Sequence, residues 1–157
     1  MIYFIDTSAL VKLYHQEAGT EYMDTVFRDA ESTLLISELT IVELHSALAK
    51  KIRIREISPA AAEDAARRFR MDCTQMLIVL LLDSTVLVRA KELIDRYGNM
   101  IALRTLDAIQ LAACQTQRDN GVIFVSADDQ LCEVCKKENL TFLNPEKTSI
   151  PPFNQYK

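Results

Sequence analysis

Short apolar runs recur along this chain between stretches long enough for helices, and most of them stop at an acidic or hydroxyl residue. Met1–Ile5 ends at Asp6, Thr33–Ser37 at its own serine, Met76–Leu82 at Asp83, Val122–Val125 at Ser126, and Thr141–Leu143 closes the series. Runs of this length with β-branched and aromatic residues read as buried strands. The segments between them carry helix signals. Asp6-Thr7-Ser8 opens a helix bearing Leu10, Val11 and Leu13, and a second runs from about Gly19 to Asp29. A third covers about Thr40 to Ile52, and Ser58-Pro59 caps and starts a fourth reaching about Arg70. Asp83-Ser84 begins a fifth that should stop at Tyr97-Gly98, with Gly98 in the left-handed position past the end. The last two are expected over about Leu106–Arg118 and Asp128–Glu138.

Strands alternating with helices through short connections bury a parallel sheet on both faces. The expectation is an α/β fold: one three-layer α/β/α domain over residues 1–143, around a central parallel sheet of about five strands. Residues 144–157, with Pro145, Pro151 and Pro152, read as an extended C-terminal tail.

With 157 residues, such a domain buries a sufficient core without disulfides or structural metal. The longest apolar run, Met76–Leu82, is too short to span a bilayer. Met1 leads straight into a strand with no basic n-region, so a cytoplasmic, non-membrane protein is expected. Cys132 and Cys135 form a lone C-x-x-C pair inside a helical pattern. Cys73 and Cys114 lack matching spacing, so all four read as packed thiols rather than a zinc site.

The net charge of −4 argues against a protein that grips nucleic acid with its whole surface. Local basic clusters stand at Lys50, Lys51, Arg53, Arg55 and at Arg67, Arg68, Arg70. The first follows the third helix and reads either as a phosphate-holding flank or as solvated surface, with Ile52, Ile54 and Ile57 free to line a groove for a second copy or a partner protein.

Four acids fall where strands hand over to helices. Each has a structural explanation: Asp6 and Asp128 as caps, Thr40-x-x-Glu43 as a capping box, and Asp107 as a first-turn acid favoured by the helix dipole. In a parallel sheet, however, strand C-termini and helix N-termini share one edge, so the same placement lets all four converge there. Asp107 also shares a helix face with Leu111 and Cys114, and Glu43 lies between Leu39 and Ala47. An acid in an apolar stripe is costly unless compensated, and hard divalent cations with oxygen ligands compensate it.

Competing acid-rich folds fit poorly. Ser8 stands where a haloacid-dehalogenase-type phosphatase needs a second Asp, and Ile5-Asp6-Thr7 and Leu143-Asn144 lack the acidic pair and Lys of a receiver domain. Three glycines leave no phosphate-cradling loop, and His15 and His45 have no triad partners.

Phe4-Ile5-Asp6-Thr7-Ser8-Ala9-Leu10 resembles the opening motif of PIN domains. Ser37–Leu44 resembles their second motif, Leu103–Ala112 their third, and Val125–Asp128 their fourth. The ordered set covers about residues 1–143 and is most similar to small stand-alone members typified by VapC toxins of toxin–antitoxin pairs. The resemblance implies a metal-dependent endoribonuclease using Mg²⁺ or Mn²⁺ on RNA, an antitoxin protein as partner, and a homodimer. It maps Asp6, Glu43, Asp107 and Asp128 onto the catalytic and metal-binding acids. Thr7 and Ser126 map onto supporting hydroxyls, and the register favours Asp128 over Asp129. A non-catalytic PIN-like RNA- or protein-binding module would be expected to lack one of the acids, and none is missing.

Overall fold

The computed structural model describes residues 1–149. A five-stranded sheet, all neighbours parallel, runs in the order β3-β2-β1-β4-β5. The strands are β1 (Ile2–Ile5), β2 (Thr33–Ser37), β3 (Leu77–Leu80), β4 (Ile123–Val125) and β5 (Phe142–Leu143). The helices are α1 (Thr7–Leu10), extended by a 3-10 turn over Val11–Leu13, then α2 (Thr20–Arg28), α3 (Glu38–Arg53) and α4 (Pro59–Gln75). They continue with α5 (Ser84–Ile101), α6 (Thr105–Gln115) and α7 (Asp129–Lys137).

Period-two alternation in the strands divides the core in two. Tyr3, Ile5, Leu34 and Ile36 face a cluster completed by residues of α1 to α4. Phe4, Leu35 and Phe124 face the opposite cluster, completed by α5 to α7. Phe4 and Phe124 stack across adjacent strands, their ring centroids 5.8 Å apart. The expected three-layer α/β/α architecture is therefore present. The four thiols pack as expected: Cys114, Cys132 and Cys135 are buried and Cys73 half-buried, all unpaired.

The strand order adds what periodicity does not show. From β1 the chain winds outward to β2 and β3, then crosses back to place β4 on the other side of β1. The reversal opens a crevice at the C-terminal ends of β1 and β4, which is where open parallel sheets bind ligands.

Three boundaries differ from expectation. Helix α3 starts at Glu38 because the side chain of Ser37, not Thr40, is the cap: it accepts from the Thr40 amide at 3.3 Å. With that amide occupied, Glu43 does not close a capping box and its carboxylate is left for other partners. Helix α5 runs through Gly98 to Ile101, and the left-handed residue after it is Ala102, at φ 53°. Ile101 packs against the second cluster and Leu103 is buried beside it, which outweighs the cost of a mid-helix glycine. Helix α4 continues past Arg70 to Gln75, its Met76 cap amide bonding back to Asp72.

Of the expected tail, Asn144–Ser149 is described, and 150–157, with Pro151 and Pro152, lie outside the described residues. Asn144 is buried, and the Pro145 backbone lies 3.0 Å from where a Cβ on Gly19 would sit. Gly19 combines that close approach with φ +86°, so the contact requires glycine.

Candidate active site

Asp6 leaves the end of β1 with its amide bonded to Val125 O of β4, which seats it in the crevice. It is 6% exposed, and three donors converge on Oδ2: the Ser8 amide at 3.2 Å, Ser8 Oγ at 2.6 Å and Ser126 Oγ at 3.1 Å. Burial pushes its carboxyl up to about 6, opposed by the Ser8 hydrogen bond and assisted by the nearby Glu43 charge. Ser126, fully buried at the end of β4, also accepts from the Asp128 amide at 3.1 Å, so one hydroxyl ties two of the acids together.

Glu43 comes from the second turn of α3. Its Oε2 accepts from Thr7 Oγ1 and from Gln110 Nε2, both at 2.6 Å. Gln110, on α6, is 1% exposed, and its Oε1 accepts from Ser37 Oγ at 2.8 Å. Its Nε2 also reaches Thr40 Oγ1 at 3.0 Å. One amide thus joins α3, α6 and the start of α1 beneath Glu43.

Asp107 and Asp128 are bridged by a cation from the chain itself. Arg104 donates from Nε to Asp107 Oδ2 at 2.7 Å, and from Nη2 to Asp107 Oδ1 at 3.3 Å and Asp128 Oδ2 at 3.2 Å. Asp128 divides its oxygens: Oδ1 caps α7 by accepting from the Gln130 and Leu131 amides, and Oδ2 takes Arg104. Asp129 is exposed and turns to Asn144 and Lys147 instead.

The sequence reading therefore finds the expected acids on one edge, with Thr7 and Ser126 in contact with two of them. It missed Gln110, Ser8 and Arg104. Gln110 was detectable as the single polar residue in the apolar run Ala108–Cys114, three residues from Asp107. Ser8 and Arg104 lie within the quoted motifs and bond the nearby Asp6 and Asp107, but their second partners, Ser126 and Asp128, are 118 and 24 residues away in sequence and cannot be read from spacing.

Four oxygen-donor acids at a sheet edge, with hydroxyl and amide buttresses, suit a hard divalent cation. Among the described residues, no hydrogen bond uses Asp6 Oδ1 or Glu43 Oε1, so each acid is anchored by one oxygen and offers the other. Arg104 already stands in as the positive charge. The four are not drawn tightly together, however. Among the described residues, the trio with ligand atoms all within 4.8 Å is His15, Glu17 and Glu56, where Lys51 is the counter-ion.

A cleft of about 440 Å³ adjoins Asp128, lined also by Ser8 and Ala127 and by the charged residues Lys12, Lys50, Lys51, Glu17, Glu56 and Glu146. A larger groove, about 850 Å³, crosses α7 and β5 and touches none of the four acids, so its size does not mark the chemistry.

No curated protein sequence matches the chain. Solved structures do. VapBC2 from Rickettsia felis, bound to a promoter DNA fragment, shares 15% identity over 92% of this chain and 98% of that chain, with a TM-score of 0.61. VapC20 of Mycobacterium tuberculosis, a sarcin-ricin loop cleaving toxin, shares 18% over 83% and 93%, with a TM-score of 0.63. A toxin–antitoxin complex from Klebsiella pneumoniae shares 17% over 91% and 97%, also at 0.63. At these identities the likeness speaks for the fold. The PIN domain family model matches residues 3–137, a span that includes β1 to β4, both sides of the crevice and all four acids. The chain belongs to the PIN domain family, a family of nucleases.

Proposed function

We propose that this protein is a metal-dependent endoribonuclease and the toxin of a toxin–antitoxin pair, with Asp6, Glu43, Asp107 and Asp128 as its catalytic and metal-binding acids. The observation that carries the reading is the division of labour within the carboxylates. Neutral donors hold one oxygen each of Asp6 and Glu43, while Asp107 and Asp128 face a cation. Mg²⁺ or Mn²⁺ at these acids supplies the charge that lowers the pKa of a water and stabilises the phosphate as negative charge gathers on it.

The protein's own residues do the rest. Ser8 and Ser126 fix Asp6 in one rotamer, and Thr7 with Gln110 fix Glu43, so neither acid must reorganise when the site charges. Lys50, exposed on the cleft that Asp128 also lines, offers positive charge to the flanking RNA phosphates. Among the described residues no helix is long and apolar enough to cross a membrane, and a cytoplasmic setting suits an RNA substrate. The toxin–antitoxin complexes among the structural neighbours support an antitoxin protein as partner, and we expect a homodimer.

The test is cleavage of bulk RNA with Mn²⁺ and with EDTA. Asp6→Asn or Asp107→Asn should lower Mn²⁺-dependent cleavage about a hundredfold or more while the circular dichroism spectrum stays native. Full activity in either purified variant, or in EDTA, refutes the assignment.

A further inference from the structure

Arg104 occupies the N-cap position of α6, with extended φ and ψ and no side-chain capping bond. An arginine is a poor choice there: caps favour Ser, Thr, Asp and Asn, and a cation at a helix N-terminus opposes the macrodipole. Its side chain compensates by bonding both oxygens of Asp107 and one of Asp128. This arrangement has a consequence for metal binding. Nε and Nη2 bond both oxygens of Asp107, and an ion on the same carboxylate is repelled by the guanidinium and shares its acceptor oxygens, so ion and Arg104 compete for Asp107.

The competition is weakly biased. The Arg104 side chain is 68% exposed, against 20% for Asp107 and 26% for Asp128, and ion pairs this open are held loosely. A displaced Arg104 cannot leave, because its backbone stands three residues before Asp107 at the mouth of the crevice. The anion that arrives there with the substrate is a phosphodiester, whose paired oxygens fit a guanidinium fork.

We propose that Arg104 exchanges partners: it is the counter-ion of Asp107 and Asp128 in the metal-free protein, yields them to the ion, and then grips the RNA phosphate at the site. The inference rests on the nuclease reading above, deepening it by naming a phosphate-binding residue outside the four acids. It separates Arg104 from two simpler roles. A residue that merely organises the carboxylates should, when lost, weaken both metal binding and cleavage. A residue that merely plugs the site should, when lost, improve both.

The experiment is calorimetric titration of Mn²⁺ into wild type, Arg104→Gln and Asp107→Asn, paired with bulk-RNA cleavage at saturating Mn²⁺. Exchange predicts that Arg104→Gln binds Mn²⁺ about three- to tenfold more tightly, the scale of losing one or two exposed ion pairs. It should nevertheless cleave RNA about tenfold or more slowly, the scale of losing a charge-assisted phosphate contact. Unchanged or weaker Mn²⁺ binding overturns the competition. Tighter binding with undiminished cleavage overturns the phosphate role. If wild type takes up Mn²⁺ through Asp107 yet cleaves no RNA, the nuclease reading has failed, and the exchange falls with it. That result is distinct from an active wild type with an indifferent Arg104.

Discussion

Asp6 is a carboxyl whose site works against its charge. Raised by burial from 3.8 to about 6, it binds a proton in the folded protein over a range where the unfolded chain has released it. The folded state therefore holds more protons between those values, and stability falls as pH rises through that window, by an amount of order 2–3 kcal/mol. Asp6→Asn removes the linkage: the variant should melt no lower than wild type at about pH 8, and its melting temperature should be flatter between about pH 4 and pH 6. A variant that melts well below wild type at the higher pH would show that Asp6 is a structural cap first. Gln110 is the converse case, a neutral group whose site depends on it. Gln110→Leu removes the Oε1 acceptor of the Ser37 hydroxyl and leaves Glu43 with Thr7 alone, and should cost about 1–3 kcal/mol in denaturant unfolding. Cleavage should fall as well, since Glu43 loses half of its anchoring. Asp6, Asp107 and Asp128 were legible because each follows a strand or lies in the first turn of a helix, whereas Glu43, in the second turn of α3, was legible only through the Thr40-x-x-Glu43 spacing and the motif around it. Gln110 was not, because an amide in an apolar run announces that it needs partners without saying which.

Among the elements, α5 was predicted to stop where a glycine would let it, yet it continues. Periodicity identified the helix but could not weigh Gly98 against the burial of Ile101 and Leu103, which depends on where the second core lies. The structure turns that misjudgement into two substitutions. A Cβ at Gly98 would meet Ile94 Cγ2 at 3.4 Å, an ordinary contact, and alanine propagates a helix better than glycine. Gly98→Ala should stabilise by about 0.5–1 kcal/mol, read as roughly 1–4 °C in a thermal melt. Ala102, held at φ 53°, is the residue that should have been glycine. Ala102→Gly should relieve strain of about 1 kcal/mol, partly offset by the freer unfolded chain. If Gly98→Ala lowers the melting temperature, the Ile94 contact is tighter than its distance implies. The third-helix misreading has the same origin: Ser37 and Thr40 are both good caps, and only the end of β2 decides between them.

At the scale of the whole molecule, strand order and charge placement were the least legible, because both depend on which way the chain crosses back after β3. A parallel sheet of about five strands follows from the apolar runs, whereas the central position of β1 and the crevice beside it do not. The same holds for the basic cluster after Glu43, which reads in sequence as one patch and in three dimensions is split. Lys51 is half-buried and pairs with Glu17 and Glu56, tying the end of α3 to the loop before α2. Lys12, 3% exposed, pairs with Glu17 and Glu146. Ile52 and Ile57 pack on the first core, leaving Ile54 as the exposed isoleucine of the three. Lys50 is exposed on the wall of the cleft that Asp128 shares, so under the proposed function it is the lysine of the three that meets RNA. Lys50→Glu should raise the KM for RNA and make binding less salt-dependent, by about the slope of one phosphate contact, without moving the melting temperature. Lys51→Glu should do something different. It puts a third carboxylate against Glu17 and Glu56 and should lower the melting temperature by several degrees, a loss of about 1–3 kcal/mol. Were the two reversals to weaken RNA binding equally and leave the melt untouched, Lys51 would release its acids for phosphate, and the division between a stabilising and a substrate-facing lysine would not stand.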